Sequence, residues 1–334
     1  MYLALKRLLN MPTIADKFRE RFGSWFKENE PLSKHVNFRI GGPAKYFVEA
    51  RSSDELAAAV AMANENALPY FILGGGSNTL VSDAGYQGLV IKAANRNVRI
   101  EGERVIAEAG AISAAVARQT ADKGLRGFEW AISLPGTIGG GTRGNAGCFG
   151  GEMKDAIESV RLLRQGRIID LPASELHFAY RHSALKEPEH AHDVVLEVTL
   201  HLQPGDRNQA MQALNDNLAG RKASQPLGSS SAGCMFKNYE VKSDEDVKKI
   251  TARVAVPEAM LASHRIGAGW LIDQLGLKGL RVGDAQVSQQ HGNFLVNIGH
   301  AKAKDISALI SEIKKKARDE FGIQLQEEVQ YLGF

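Results

Sequence analysis

Two glycine-rich stretches carry the most chemical information in this chain. Gly74-Gly75-Gly76-Ser77-Asn78 follows Phe71-Ile72-Leu73, and Pro135-Gly136-Thr137-Ile138-Gly139-Gly140-Gly141 runs on to Asn145-Ala146-Gly147. A glycine has no Cβ to hold the main chain away from a ligand, so successive glycines after an apolar strand let backbone N–H groups converge on phosphate oxygens. The pattern predicts a dinucleotide ligand. Neither stretch is a common phosphate signature. A Walker loop ends in Gly-Lys-Ser/Thr, whereas Gly76 is followed by Ser77-Asn78, which disfavours a nucleotide triphosphatase. A Rossmann fingerprint opens a helix, but Asn78-Thr79 and the turn-like Ser82-Asp83-Ala84-Gly85 lead into a short strand at Gly88-Leu89-Val90-Ile91. One triple glycine could be a plain tight turn; a second glycine stretch points to a ligand.

Further ordered elements accompany them. They are Phe38-Arg39-Ile40-Gly41-Gly42-Pro43-Ala44, Val81-Ser82-Asp83, Tyr180-Arg181-His182-Ser183, Ser231-Ala232-Gly233-Cys234-Met235-Phe236-Lys237-Asn238, Trp270-Leu271-Ile272-Asp273 and Leu325-Gln326-Glu327-Glu328-Val329. Together with the glycine stretches, and along nearly the whole chain, they resemble the UDP-N-acetylenolpyruvoylglucosamine reductase family. The resemblance implies an α+β fold: a two-part FAD-binding domain of the vanillyl-alcohol-oxidase/PCMH type plus a C-terminal α+β substrate domain. It implies an FAD flavoprotein, with NADPH as hydride donor, that reduces enolpyruvyl-UDP-N-acetylglucosamine to UDP-N-acetylmuramate for peptidoglycan. In such a family an arginine and a glutamate stabilise charge on the substrate carboxylate while a serine protonates the neighbouring carbon. Those roles fall on Arg181, Glu328 and, at the acid position, Cys234.

Cys234 departs from the family's serine. A free thiol has a pKa of about 8.5, several units below an alcohol, so the replacement keeps a proton donor and makes it the better acid. A guanidinium suits a carboxylate because its fork donates two parallel hydrogen bonds at permanent charge. Glu328 is selected over Glu327 because the catalytic glutamate directly precedes the valine, and adjacent strand residues face opposite ways. The resemblance further implies cofactor contacts from Gly74, Gly75, Gly76, Ser77, Asn78, Leu80, Pro135, Gly136, Thr137, Gly139, Gly140, Asn145 and Ala146. It implies substrate contacts from Tyr180, Arg221, Gln225, Lys237, Asn238 and Asn293. Thr142-Arg143-Gly144, Tyr239, Gln326 and Glu327 depart from the family pattern. No tyrosine-bearing lid stands between Val194 and Lys222, which resembles the shorter subgroup, with Trp270–Asp273 and Val287–Phe294 lining the C-terminal lobe. A flavin oxidase or dehydrogenase on the same fold, or a silent flavoprotein, would share the glycine stretches without needing Arg181, Cys234 and Glu328 together.

Composition agrees with a globular enzyme. At 334 residues, 44% apolar and 24% charged, the chain exceeds one usual core, so two or three domains are expected. The net charge of +3 is small, and the densest basic run, Lys314-Lys315-Lys316, sits on a helical pattern as a solvated face, which argues against nucleic acid. No stretch approaches the roughly 18 apolar residues of a membrane span. Cys148 and Cys234 lie in separate motifs and no export signal accompanies them, so a cytoplasmic protein without structural disulfides is expected. His182, His264 and His291 lack ligand-like spacing, and no metal is expected. Nothing specifies an oligomer, and a monomer is the expectation.

The elements that must position these residues follow from periodicity. Residues 1–30 read as an N-terminal helical extension, in which Tyr2–Leu9 is either a short amphipathic helix or an extension ahead of a possible start at Met11. Residues 31–221 read as the FAD domain, in subdomains of about 31–92 and 93–221. Lys45–Ala50 is a strand, Ser52 caps a helix with Glu55 at the capping-box position, and Tyr70–Leu73 is a strand into the first glycine stretch. Arg104–Glu108 is a strand and Ile112–Lys123 a helix stopped by Gly124. Ile157–Leu163, Arg167–Leu171 and Val194–Gln203 are strands, the last alternating apolar and polar as in a half-buried sheet. Asp206–Arg221 is a polar helix and Lys222–Gly228 the crossing into residues 222–326, the substrate domain. There Ile306, Leu309, Ile310, Ile313, Ala317 and Phe321 mark a packing helix stopped by Gly322. Ile323–Leu332 is a final strand, of which 327–334 is expected to return to the N-terminal domain.

Overall fold

The computed structural model describes residues 12–226 and 228–334. The helix expected at Tyr2–Leu9 lies outside them. Thr13 opens the first described helix, Ile14–Phe22: its hydroxyl accepts the Asp16 N–H while the Asp16 carboxylate accepts the Thr13 N–H. This closed capping box fixes the entry of a helix whose Phe18 and Phe22 are buried together with Phe26. Phe26 begins a strand, Phe26–Pro31, paired antiparallel to Pro43–Ala50 with Phe26 opposite Val48. The sheet therefore starts inside the segment read as a helical extension, because Phe26 has a buried partner across the ladder.

The first sheet has the order Phe26–Pro31, Pro43–Ala50, Tyr86–Ala93, Tyr70–Leu73, and its last three strands are parallel. Helix Ser53–Glu65 crosses between them, capped by the Ser52 hydroxyl on the Glu55 N–H. The Glu55 carboxylate reaches the Arg51 N–H instead of closing the box on Ser52. The second sheet is antiparallel, in the order Arg167–Pro172, Ile157–Arg164, Val194–His201, Arg104–Glu108, Val98–Glu101. Val194, Leu196, Val198 and Leu200 are buried while the residues between them are not, as their alternation predicts. Helix Ser113–Asp122 stops ahead of Gly124, whose φ of +71° suits glycine.

Asp206 caps helix Arg207–Ser224, which runs beyond the expected end at Arg221 and stops at Gln225. The stop falls where Pro226 disfavours helical backbone in the residue before it. In the C-terminal lobe, helix Ala303–Phe321 buries the six predicted apolar residues and ends at Gly322, with φ of +67°. The last segment departs from the expected long strand. Only Gln330–Leu332 forms a ladder, parallel to Thr79–Val81 far upstream. The stretch before it bonds to the Cys234 segment through single contacts: Lys237 N–H to Gln326 O and Glu328 N–H to Met235 O, each 2.8 Å. A partner segment that is itself irregular cannot extend a ladder.

The core of the C-terminal lobe also holds Phe38, Ile40 and Leu80 from the N-terminal part. Apolar packing thus continues across the junction where the candidate site lies. Among the described residues no helix is long and apolar enough to cross a membrane.

Candidate active site

The two glycine stretches meet backbone to backbone. A Cβ on Gly75 would stand 2.7 Å from the Gly136 Cα, one on Gly74 would stand 2.7 Å from the Thr137 Oγ1, and one on Gly136 would stand 2.7 Å from the Ser77 Oγ. Ser77 then donates its hydroxyl to Pro135 O at 3.2 Å. Gly76, at φ of +64°, lies against the His35 carbonyl. Glycine is thus required here first by the contact of one stretch with the other.

The second stretch is not the open loop expected. Ile138–Arg143 is a helix capped by the Thr137 hydroxyl, and the N–H groups of Ile138 and Gly139 donate to Ala111 O and Ala109 O. The Ala146 N–H is taken by Gly141 O. The Asn145 side chain is buried, its amide nitrogen donating to Glu152 and to Ala179 O, both at 2.9 Å. Leu80 is buried in the lobe core, so its side chain packs. Pro135 and Gly140 are exposed.

The groups left open fit a dinucleotide cofactor. The N–H groups of Gly75, Gly76 and Ser77 have no protein acceptor among the described residues. Asn78 donates to Glu328 O at 3.0 Å, yet its Oδ1 is buried without a partner, an acceptor waiting for a donor. Beside Gly75 opens a cavity of about 680 Å³ lined by Lys34, His35, Arg39, Lys92 and Ser229 among others. Within it Lys92 Nζ contacts His35 Nδ1 at 3.2 Å, and His35 Nε2 lies 2.9 Å from Glu30. Burial lowers the pKa of both Lys92 and His35. These cations were not visible as a group in the sequence, since they come from separate segments.

The second cluster consists of side chains. Tyr180 and Arg181 form the tip of a turn closed by paired Ala179 and His182 backbone bonds, with Arg181 at φ of +54°. Arg181 Nε sits 2.8 Å from Glu328 Oε1, but its N–H is not aimed along that line, so the pair is an ion pair and not a directed hydrogen bond. Nη2 donates to Gly147 O at 2.9 Å. Burial raises the Glu328 pKa, with Arg181, Lys186 and Lys237 opposing. Burial is the largest influence on Arg181 and disfavours its charge, but Glu328 together with Tyr180, Cys234 and Glu152 outweighs it, and the guanidinium stays protonated.

Cys234 belongs to the same cluster: Glu328 bonds to the residue after it, and Glu328, Arg181 and Arg221 all act on its titration. Burial is the largest influence and pushes the thiol up to about 12. Desolvation disfavours the thiolate, so the thiol lies above its free value and holds its proton at neutral pH. Part of its surface remains open. Glu327 points elsewhere, to Lys314 at 2.6 Å and to the Tyr331 hydroxyl, which ties one lysine of the basic run to the protein.

The residues expected on the substrate side divide in two. Arg221 and Lys237 are half-buried cations near Cys234 and Glu328 respectively. Tyr180 accepts the Asn238 N–H at 3.2 Å, and its ring lies 3.9 Å from the Arg265 guanidinium carbon. The Asn238 and Asn293 side chains bond the backbone of neighbouring segments. Asn238 Oδ1 accepts the Ala268 N–H at the start of helix Ala268–Gln274, and Asn293 bonds both backbone groups of Phe236. Gln225 is half-buried at the end of its helix. Sequence reading missed Lys186 and Arg143 as members of the cluster; their only signal is closeness in sequence to the Tyr180–Ser183 and glycine elements. Among the described residues no group of three or more His, Cys, Asp or Glu could hold a metal.

Fold and site define an FAD-dependent oxidoreductase: residues 44–171 match the FAD binding domain family, and the open amides of Gly75–Ser77 fit its cofactor. Residues 225–332 match the family described as UDP-N-acetylenolpyruvoylglucosamine reductase, C-terminal domain. The chain is 38% identical over 312 residues to the UDP-N-acetylenolpyruvoylglucosamine reductase of Lachnoclostridium phytofermentans, covering 91% of this chain and 92% of that one. It is 38% identical over 328 residues to reductase 2 of Symbiobacterium thermophilum, covering 97% and 98%. The solved structure of the reductase from Thermus caldophilus superposes with a TM-score of 0.72 at 31% identity, covering 92% and 98%. The chain belongs to the UDP-N-acetylenolpyruvoylglucosamine reductase family.

Proposed function

We propose that this protein catalyses the NADPH-dependent reduction of enolpyruvyl-UDP-N-acetylglucosamine to UDP-N-acetylmuramate, a peptidoglycan precursor. The observation that carries it is the convergence of Arg181, Cys234 and Glu328 from three distant segments at one partly open position. FAD, when bound and reduced by NADPH, supplies the hydride for the terminal enolpyruvyl carbon.

The chain's own residues handle the charge and the proton. Negative charge develops on the carbon beside the carboxylate, and Arg181, held by its ion pair with Glu328, stabilises it. Cys234 gives its Sγ proton to that carbon, so the double bond gains one hydride and one proton, and the thiolate recovers a proton from solvent. Lys237 and Arg221 offer cations for the diphosphate, where their charges are partly desolvated and act strongly. A cytoplasmic location accords with the two unpaired cysteines.

The test is to purify the protein, confirm bound yellow flavin, and follow NADPH loss with and without enolpyruvyl-UDP-N-acetylglucosamine. Consumption that depends on this substrate is expected. Consumption that ignores it would favour an oxidase, and none at all a silent flavoprotein.

A further inference from the structure

Lys186 lies three residues beyond the Tyr180–Ser183 element, on the short turn Ala184–Lys186. Its Nζ donates to the Arg181 carbonyl at 2.9 Å. That carbonyl belongs to a residue in the left-handed region, φ of +54°, which a side chain bearing Cβ adopts at a cost of about 1 kcal/mol or more. Surrounding bonds must therefore hold the turn. Asn145 holds Ala179 O at 2.9 Å, Ser183 Oγ donates to Arg143 O at 2.7 Å, and Lys186 holds Arg181 itself. Of these groups, only Lys186 both bonds the arginine backbone and carries charge in the site.

We propose that Lys186 is a positioning residue for the reduction: its ammonium clamps the strained Arg181 carbonyl and so sets the guanidinium that faces the substrate carboxylate. The inference rests on the reductase reading above and adds a residue to it. The groups around Lys186 are Arg143 of helix Ile138–Arg143, Arg181 on the turn, Lys237 beyond the crossing and Glu328 of the last segment. Burial, then these three cations, lower its pKa to about 8, with Glu328 opposing. The clamp is consequently charged below that pH and neutral above it. A neutral amine is a weaker donor than an ammonium.

The test compares wild type, Lys186→Met and Lys186→Arg as flavin-loaded proteins. For Lys186→Met, kcat with the enolpyruvyl substrate is expected to fall at least tenfold, with NADPH reduction of the flavin within about twofold of wild type. Lys186→Arg, which keeps a donor and a charge, is expected to restore most of the loss. The alkaline decline of kcat, expected in wild type near the Lys186 pKa, should move to higher pH in Lys186→Arg, because a guanidinium does not titrate there. Independently of turnover, amide hydrogen exchange over residues 178–187 should quicken in Lys186→Met. Wild-type-like turnover and exchange in Lys186→Met would overturn the clamp, as would a loss shared equally by both half-reactions or one that arginine fails to rescue. A wild-type protein that ignores the enolpyruvyl substrate would instead overturn the reductase reading, and the exchange comparison would still decide the clamp.

Discussion

The glycine contact and the Arg181–Cys234–Glu328 junction lie in the same molecule and are built by opposite means. The first is made where side chains are missing: Gly75 meets Gly136 because neither has a Cβ, and the N–H groups beside them are left without a protein acceptor among the described residues. The second is made where side chains gather, from a strained turn, the segment around Cys234 and the last residues before the C-terminal strand. A backbone site tolerates change in what surrounds it but not the addition of one carbon. A side-chain site tolerates an isostere but not the loss of a functional group.

The contrast can be broken in four places, taken from the largest effect down. Cys234→Ala is expected to lower product formation by about 10²- to 10⁴-fold, the usual range for a lost general acid, while flavin reduction by NADPH persists. Cys234→Ser should keep substantial activity. Stopped-flow measurement of the two half-reactions checks this, and equal turnover for the alanine variant would remove the thiol from the chemistry. Arg181→Lys keeps a cation but loses the fork and its bond to Gly147 O, so kcat/KM should fall by about 10- to 100-fold, the worth of a charged hydrogen bond. Retained activity would mean that charge alone suffices.

On the backbone side, Gly75→Ala brings a Cβ against the Gly136 Cα, with main chain on both sides and nothing flexible to yield. A loss of about 1–3 kcal/mol is expected, seen as a lower melting temperature together with flavin released on desalting. Unchanged melting would show that the two stretches can part freely. Gly140→Ala sharpens the same point. Its Cβ would meet only the Thr137 Oγ1 at 3.4 Å, and alanine favours the helix by up to about 1 kcal/mol, so stability should hold or rise slightly. Weaker flavin binding in that variant would come from the ligand side, and undiminished binding would take Gly140 out of the cofactor contact.

Much of the frame was legible because it is written in local patterns. The alternation at Val194–Leu200, the helical recurrence ending at Gly322, and the Ser52 and Asp206 caps each depend on neighbours within a few residues. The errors have a common form. Ile323–Val329 alternates like a strand but finds an irregular partner, and Ile138–Arg143 reads as a loop because its glycines disfavour helix, yet Thr137 and the bonds to Ala109 and Ala111 hold it helical. The bonds that Asn145, Asn238 and Asn293 make to distant backbone had no local signal either.

The sequence by itself determined the family and the cofactor class, since the order of motifs is a property of the chain. Only the tertiary structure decided that the two glycine stretches touch, that Lys186 reaches back to Arg181, and that Cys234 holds its proton at neutral pH. Those outcomes depend on distance and desolvation between segments far apart along the chain, and no local pattern encodes either quantity.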